Sequence, residues 1–460
     1  MLEPIALFNE NFYLAQNQDV ASAIGSGGFR SGFDHFTQFG QFEGRDPSAV
    51  FDTSYYLDTY QDVADAVEQN IITAFAHFIE FGQFEGRDPS AAFDTGYYLD
   101  QHQDVANAIA RDELTGIEHF LNFGIEEKRQ FSPFVDLNLY RAVNPDLASF
   151  NYSQAFDHLV SFGIDEGRQF TPSLFDRVDS FSTVITTNGN PADVYYPNSS
   201  SQSQVMASFP IALLLPGALV DKSQYEKFAN IVASYGFVVV VPNNERSLPQ
   251  FDFEGLLSEA SEIDDTLEYI VAENANPTSP IAGIVDTQKL VLLGHSNGGA
   301  VGLSAIGGLC NFPLCSGDFA LPDEVVASAF YGTNLLNPET GEFLEISNGG
   351  IPIALVSGSL EGVATPEEVQ GTFARISDPP KALITIFGAN HFGITDENNP
   401  RGARPDLNPA TLAQDRGIEA IARWSALFLR ATALNDAAAF DYIYRRGDYL
   451  DINASAIAQT

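Results

Sequence analysis

A chain of 460 residues, 45% of them apolar, is too long for one ordinary core and too apolar for long disorder, so two or more packed domains are expected. Sixty-one acidic against 22 basic side chains give a net charge of −39, a surface that repels nucleic acid and anionic membranes and excludes both as partners. No run reaches the roughly 18 apolar residues of a membrane span, and MLEPIALFNENFYL shows neither the basic nor the apolar region of a secretion signal.

The first third is self-similar. FDTSYYLDTYQDVADAV (51–67) returns as FDTGYYLDQHQDVANAI (93–109), and HFTQFGQFEGRDPSAVFD (35–52) as HFIEFGQFEGRDPSAAFD (77–94). Divergent copies open at Phe8 and Val135, making four copies about 42 residues apart up to Phe175. Each copy reads as two short helices, with Asp19, Asp62, Asp104 and Asp146 as N-caps and the glycine of HFxxFG as a stop. One unit cannot bury both apolar faces, so neighbours should stack into an all-α repeat domain over residues 1–175. His35, His77, His119 and His158 hold one repeat position, which marks them as packing or capping residues. His102 stands where sister copies have Tyr60 and Asn17 and reads as a surface variant. These copies resemble a repeat common in large bacterial secreted or surface-associated proteins. The resemblance implies a targeting or adhesive accessory with a protein or surface partner, and favours a secreted or surface location over the cytoplasm.

From residue 176 to 460 the pattern changes to a second domain, with a core over about 183–434 and a C-terminal extension over 435–460. TVITT (183–187) and ADVYYP (192–197) alternate like antiparallel edge strands. IALLLPG (211–217), FVVVVP (237–242) and KLVLLG (289–294) are continuous apolar runs, the pattern of buried parallel strands. SQYEKFANIVASYG (223–236) and LLSEASEIDDTLEYIVAEN (256–274) have helical spacing between them. VVASAFYG (325–332), IPIALVSG (351–358) and ALITIFG (382–388) continue the strands, and LAQDRGIEAIARWSALFLRATA (412–433) closes with a helix. Alternating buried strands and helices predict an α/β fold with a mostly parallel central sheet. Cys310 and Cys315, in GLCNFPLC, are spaced to close a small disulfide loop or to stand as buried thiols. No second Cys or His pair flanks them, so no metal site is expected.

Gly294-His295-Ser296-Asn297-Gly298 matches G-x-S-x-G between a buried strand and the small-residue run GGAVGLSAIGG. That context suits a nucleophilic serine on a sharp strand-to-helix turn, where flanking Cβ atoms would collide with their surroundings. A serine hydroxyl needs a general base. The base of such a fold follows the last strand, and His391 stands three residues past ALITIFG, with five of the seven histidines already assigned to the repeats. The acid follows the preceding strand, which points to Glu361, with Asp396 and Asp378 as rivals. Two backbone N–H groups should form an oxyanion hole, those of Asn297 and of Ala218 after LLLPG. Leu219, Phe251, Phe253 and Leu335, on segments after strands, are candidates to line the substrate pocket. His295, inside the elbow and facing away from Ser296, joins that set.

Together these motifs resemble the α/β-hydrolase superfamily. LLLPGALVDKSQYEKFANIVASYGFVVVVP followed by GHSNGG is similar to the chlorophyllase branch, and next to the cutinase-like and polyester-hydrolase branch, where a Pro-Gly precedes the oxyanion residue. Plant chlorophyllases typically carry Arg where Asn297 stands, His where Pro216 stands and Asp where Glu361 stands. The resemblance implies a serine esterase on a bulky lipophilic ester, chlorophyll being the branch's substrate, with no metal or organic cofactor. A cutinase, lipase or polyester-hydrolase activity is the alternative within the class. The alternative outside it is a surface or binding protein whose hydrolase-like domain is silent.

Overall fold

The computed structural model describes residues 2–111, 113–198, 208–309, 311–316, 319–337 and 339–460. The chain divides into two compact units. One is Met1–Pro172 with Arg445–Ile452; the other is Ser173–Tyr444 with Asn453–Thr460.

The first unit is helical, and its copies hold three helical segments where the sequence reading expected two. The leading helices Glu10–Gln16, Thr53–Thr59, Thr95–Gln101 and Leu137–Val143 are capped by Asn9, Asp52, Asp94 and Asp136, whose side chains accept backbone N–H groups. Asp19, Asp62, Asp104 and Asp146 are not caps. They lie in the first turn of the next segment and pair with Arg45, Arg87, Arg129 and Arg168 at 2.7–2.9 Å. The third segment widens into a π-helical turn over HFxxFG, as at Phe36–Gly40.

That turn explains the repeated histidines. Tyr13, Tyr56, Tyr98 and Tyr140 hydroxyls lie 2.8–3.0 Å from Nδ1 of His35, His77, His119 and His158. Each hydroxyl also fills the space beside the glycine that ends the π-helical turn. A Cβ on Gly40 would lie 2.1 Å from Tyr13 Oη. His102 is more than a surface variant, because its Nε2 is 2.8 Å from the Gln130 carbonyl and ties two segments of the unit.

Among the described residues, the second unit is built on a nine-stranded sheet. Its strands, with a separate hairpin, are β1 Val178–Val184, β2 Pro191–Pro197, β3 Phe209–Leu215, β4 Val238–Pro242, β5 Glu245–Leu248, β6 Phe253–Leu256, β7 Val285–His295, β8 Val325–Tyr331, β9 Ile353–Gly358, β10 Lys381–Ile386 and β11 Ala454–Gln459. The order is β1-β2-β4-β3-β7-β8-β9-β10-β11, and β5 and β6 pair apart as the hairpin. The six strands from β4 to β10 are parallel; β1, β2 and β11 run antiparallel at the two ends. Every residue of β3 and β4 is buried, as their continuous apolar runs require.

Two boundaries differ from expectation. The helix expected from residue 256 starts at Ser261, because Phe253–Leu256 pairs with Glu245–Leu248 instead. The tail after Leu434 is divided. Arg445–Ile452 belongs to the first unit, and Ala454–Gln459 adds the last strand to the sheet beside β10. Cys315 is disulfide-bonded; Cys310 lies outside the described residues.

Chain order reverses between β3 and β7. From β3 the path turns to β4 on one side and later to β7, β8, β9 and β10 on the other. Crevices at such switch points, outside the C-terminal ends of the strands, are where ligands bind in open α/β sheets. Leu215 of β3 sits in register with Gly294 of β7, so Pro216-Gly217-Ala218 and His295-Ser296 emerge side by side there.

Candidate active site

Ser296 follows β7 directly and precedes the helix Asn297–Ile306, with φ 53° and ψ −118°. A non-glycine residue held there is strained and persists only where its surroundings over-determine it. The neighbours show how. A Cβ on Gly298 would lie 2.0 Å from the Leu215 carbonyl oxygen, and one on Gly294 would lie 2.7 Å from the Gly299 nitrogen. The turn is therefore pressed between β3 and its own helix, and only glycines fit two positions before and after the serine.

The loops after β10 and β9 meet the serine. His391 Nε2 lies 2.9 Å from Ser296 Oγ, and His391 Nδ1 lies 2.6 Å from Glu361 Oε1. Glu361 is 2% exposed and His391 3%, so their pair is shielded from water. Glu361 Oε1 also accepts the Val363 and Ala364 N–H groups at 3.3 and 3.2 Å, which fixes the carboxylate's orientation. The carboxylate rivals lie elsewhere. Asp396 accepts the Lys227 backbone N–H, and Asp378 donates its own N–H to Asn348.

The two oxyanion candidates sit in matching positions. Asn297 is the first residue of its helix, so its N–H has no intrahelical acceptor. In the loop after β3, Gly217 N–H donates to Tyr225 Oη at 2.9 Å and Leu219 N–H to the Leu256 carbonyl at 2.8 Å. Among the described residues Ala218 N–H between them has no protein acceptor. A Cβ on Gly217 would lie 3.4 Å from Ser296 Cβ, which sets this loop against the serine.

The candidate pocket residues divide. Leu219, with φ 61°, is half-buried in this loop, and Phe253 is a half-buried residue of β6. Phe251 is 56% exposed and stacks on Phe312 with centroids 5.7 Å apart. Leu335 is a buried core residue whose N–H donates to Thr372 Oγ1. His295 is fully buried behind the serine and is no pocket residue.

His295 instead carries a hydrogen-bonded chain. Its Nε2 lies 2.9 Å from the His391 carbonyl, which can only accept, so Nε2 carries the proton. Nδ1 must then accept, and the Tyr225 hydroxyl 2.9 Å away donates to it. Tyr225 Oη in turn accepts Gly217 N–H. Burial first, then the neighbouring His391, holds the His295 pKa well below the usual range, so the ring stays neutral. The oxyanion loop and the backbone of His391 are thereby joined through two side chains.

Sequence reasoning missed Tyr225 and Asp406. Tyr225 lay in a stretch with helical spacing and showed no other sign. Asp406 is 4% exposed, and its Oδ2 accepts both His391 N–H at 2.9 Å and Gly362 N–H at 3.0 Å, clamping the base and acid loops together. Nothing around RPDLNP signals this in the sequence.

Residues 175–308 match a family model described as PETase, PET hydrolase-like. With the strand order above, that decides the fold. This unit has the α/β-hydrolase fold. The matched stretch contains Ser296, Ala218 and Asn297; Glu361 and His391 lie beyond it. Among curated relatives, chlorophyllase-1, chloroplastic, of Citrus unshiu and of Citrus sinensis are each 25% identical over 207 residues, covering 42% of this chain and 57% of theirs. Chlorophyllase type 0 of Chenopodium album is 29% identical over 113 residues, 23% of this chain and 31% of its own. The chain thus spans little more than half the length of the curated relatives it matches.

Proposed function

We propose that the α/β-hydrolase unit is a serine carboxylic-ester hydrolase working through an acyl-enzyme. The observation that carries this reading is the continuous Ser296–His391–Glu361 chain at 2.9 and 2.6 Å. Ser296 Oγ attacks the ester carbonyl while His391 Nε2 takes its proton, and Glu361 stabilises the imidazolium and holds its tautomer. The carbonyl oxygen becomes an oxyanion facing the Ala218 and Asn297 N–H groups. Collapse breaks the C–O bond, and His391 gives its proton to the departing alcohol. Water, deprotonated by His391, then attacks the acyl-enzyme and frees the acid and Ser296.

A bulky lipophilic ester, chlorophyll-like in its long-chain alcohol, is the substrate class this reading favours. It is supported by similarity to proteins named chlorophyllases and by the apolar, half-buried Leu219 in the oxyanion loop. A polyester or cutin-like substrate is the second reading, favoured by the PET hydrolase-like match over the nucleophile region. The test is a panel of short- to long-chain nitrophenyl esters, chlorophyll and a polyester film, run on the native chain and on Ser296→Ala. The expected result is hydrolysis by the native chain and a loss of more than 10³-fold in the variant. Equal rates from both would refute the assignment.

A further inference from the structure

The first two repeats share a stretch almost unchanged, RDPSAVFDTSYY from Arg45 and RDPSAAFDTGYY from Arg87. In the second copy this stretch forms a filled socket. Arg446 belongs to the same unit, and its Nη2 lies 2.5 Å from Asp88 Oδ2 and 3.3 Å from Asp94 Oδ2. Its Nη1 donates to the Ala91 and Phe93 carbonyls at 3.2 and 3.3 Å. The guanidinium carbon lies 5.9 Å from the centre of the Tyr55 ring, and the Arg446 side chain is only 4% exposed.

The corresponding residues of the first copy are Asp46, Asp52, Ala49 and Phe51, with Phe12 in the place of Tyr55. All five line one cavity of about 390 Å³. The two carboxylates keep the same local bonds. Asp46 Oδ1 accepts Thr53 N–H at 2.8 Å, as Asp88 accepts Thr95 N–H at 2.7 Å. Asp52 and Asp94 cap their helices alike through Oδ1. The Oδ2 atoms meet the guanidinium in the second copy; in the first, Asp46 and Asp52 pair with no Arg or Lys side chain among the described residues. Asp165 adds a third carboxylate to the wall. The cation of that wall, Arg45, is already paired with Asp19 and Glu43 at 2.9 and 2.7 Å. The third and fourth copies have Gln130 and Gln169 where Asp46 and Asp88 stand, so the full pair of carboxylates belongs to the first two alone.

We propose that this cavity is a second arginine socket, which receives an arginine-bearing segment of another polypeptide. Two carboxylates and two carbonyl oxygens set around one point match the planar, multi-donor guanidinium better than a single ammonium. Phe12 puts an aromatic ring in the wall where Tyr55 offers its ring face to Arg446, and the chain's charge of −39 draws a cationic segment in.

The test uses a fluorescently labelled peptide of residues 443–452, IYRRGDYLDI, titrated with the full chain in EDTA and followed by polarisation. The expected result is saturable one-to-one binding. It should weaken at least tenfold when both peptide arginines are alanine, and similarly with Asp46→Asn/Asp52→Asn. Asparagine keeps Oδ1 for the Thr53 and Tyr55 N–H groups, so the fold is retained; the alanine peptide reports on the proposal without any change to the protein. Absence of saturable binding, equal binding of the alanine peptide, or equal binding by a folded double variant would each overturn it. The last outcome would place the peptide in the Asp88 socket, in exchange with the chain's own Arg446.

Discussion

Replacing Glu361 by glutamine keeps the shape of the acid and removes its charge. Oε1 of Glu361 receives three N–H groups, from His391 Nδ1, Val363 and Ala364. The glutamine carbonyl oxygen would inherit all three, and the His391 tautomer would survive. What is lost is the attraction between a carboxylate and the imidazolium that forms in the transition state. With charge centres about 4 Å apart and an effective dielectric of about 20, that attraction is about 4 kcal/mol. Since about 1.4 kcal/mol is a factor of ten, kcat should fall about 10³-fold with KM little changed. Steady-state hydrolysis of nitrophenyl butyrate by Glu361→Gln and, in parallel, by Asp396→Asn measures this. A Glu361→Gln enzyme within tenfold of native kcat, or a larger loss from Asp396→Asn, would refute the reasoning.

Tyr225→Phe strips an acceptor from Gly217 N–H and a donor from His295 Nδ1, both buried, at a cost of about 1–3 kcal/mol. A lowered melting temperature and a roughly tenfold lower kcat are expected, and native kcat would contradict the linkage of oxyanion loop to base. Gly40→Ala places a methyl group 2.1 Å from Tyr13 Oη, costing about 1–3 kcal/mol by overpacking. Calorimetry should show the repeat unit melting earlier while ester hydrolysis stays at the native rate; unchanged melting would refute the close fit. Burial pushes the Glu262 carboxyl up to about 8 from 4.5, so the folded chain holds its proton more tightly than the unfolded one. Stability from this group is therefore lost as pH rises from about 4.5 to about 8. Glu262→Gln should gain stability over the native chain at pH 9 and little at pH 5. The same gain at both would count against it.

Much of this site was legible because its chemistry has a local sequence form. The elbow is written in glycines that the fold cannot replace, and continuous apolar runs mark β3, β4 and β7 as buried strands. His391 was found by elimination, since the tyrosine-bound histidines recur at one repeat position. What stayed hidden is long-range and carried by ordinary residues. Asp406 bonds two loops that only the folded sheet brings together, and Tyr225 sits in a stretch whose helical spacing explains it fully. Asp19 and Asp62 were read as caps because aspartate has cap chemistry, yet their helices start one residue before them. Only the position of Arg45 shows that Asp19 is half of an ion pair. Leu335 and His295 were assigned to a pocket by loop position, while burial places both inside.

Arg446 gives the order of synthesis a structural meaning. The repeat unit emerges from the ribosome first, yet the group that fills its second socket is encoded 352 residues after Asp94 (446 − 94). At about 5–20 residues per second, Asp88 and Asp94 wait about 20–70 s for their counter-charge while all of the α/β-hydrolase unit but its last strand is made. A nascent chain stalled or cut before residue 446 therefore carries two open acidic sockets instead of one.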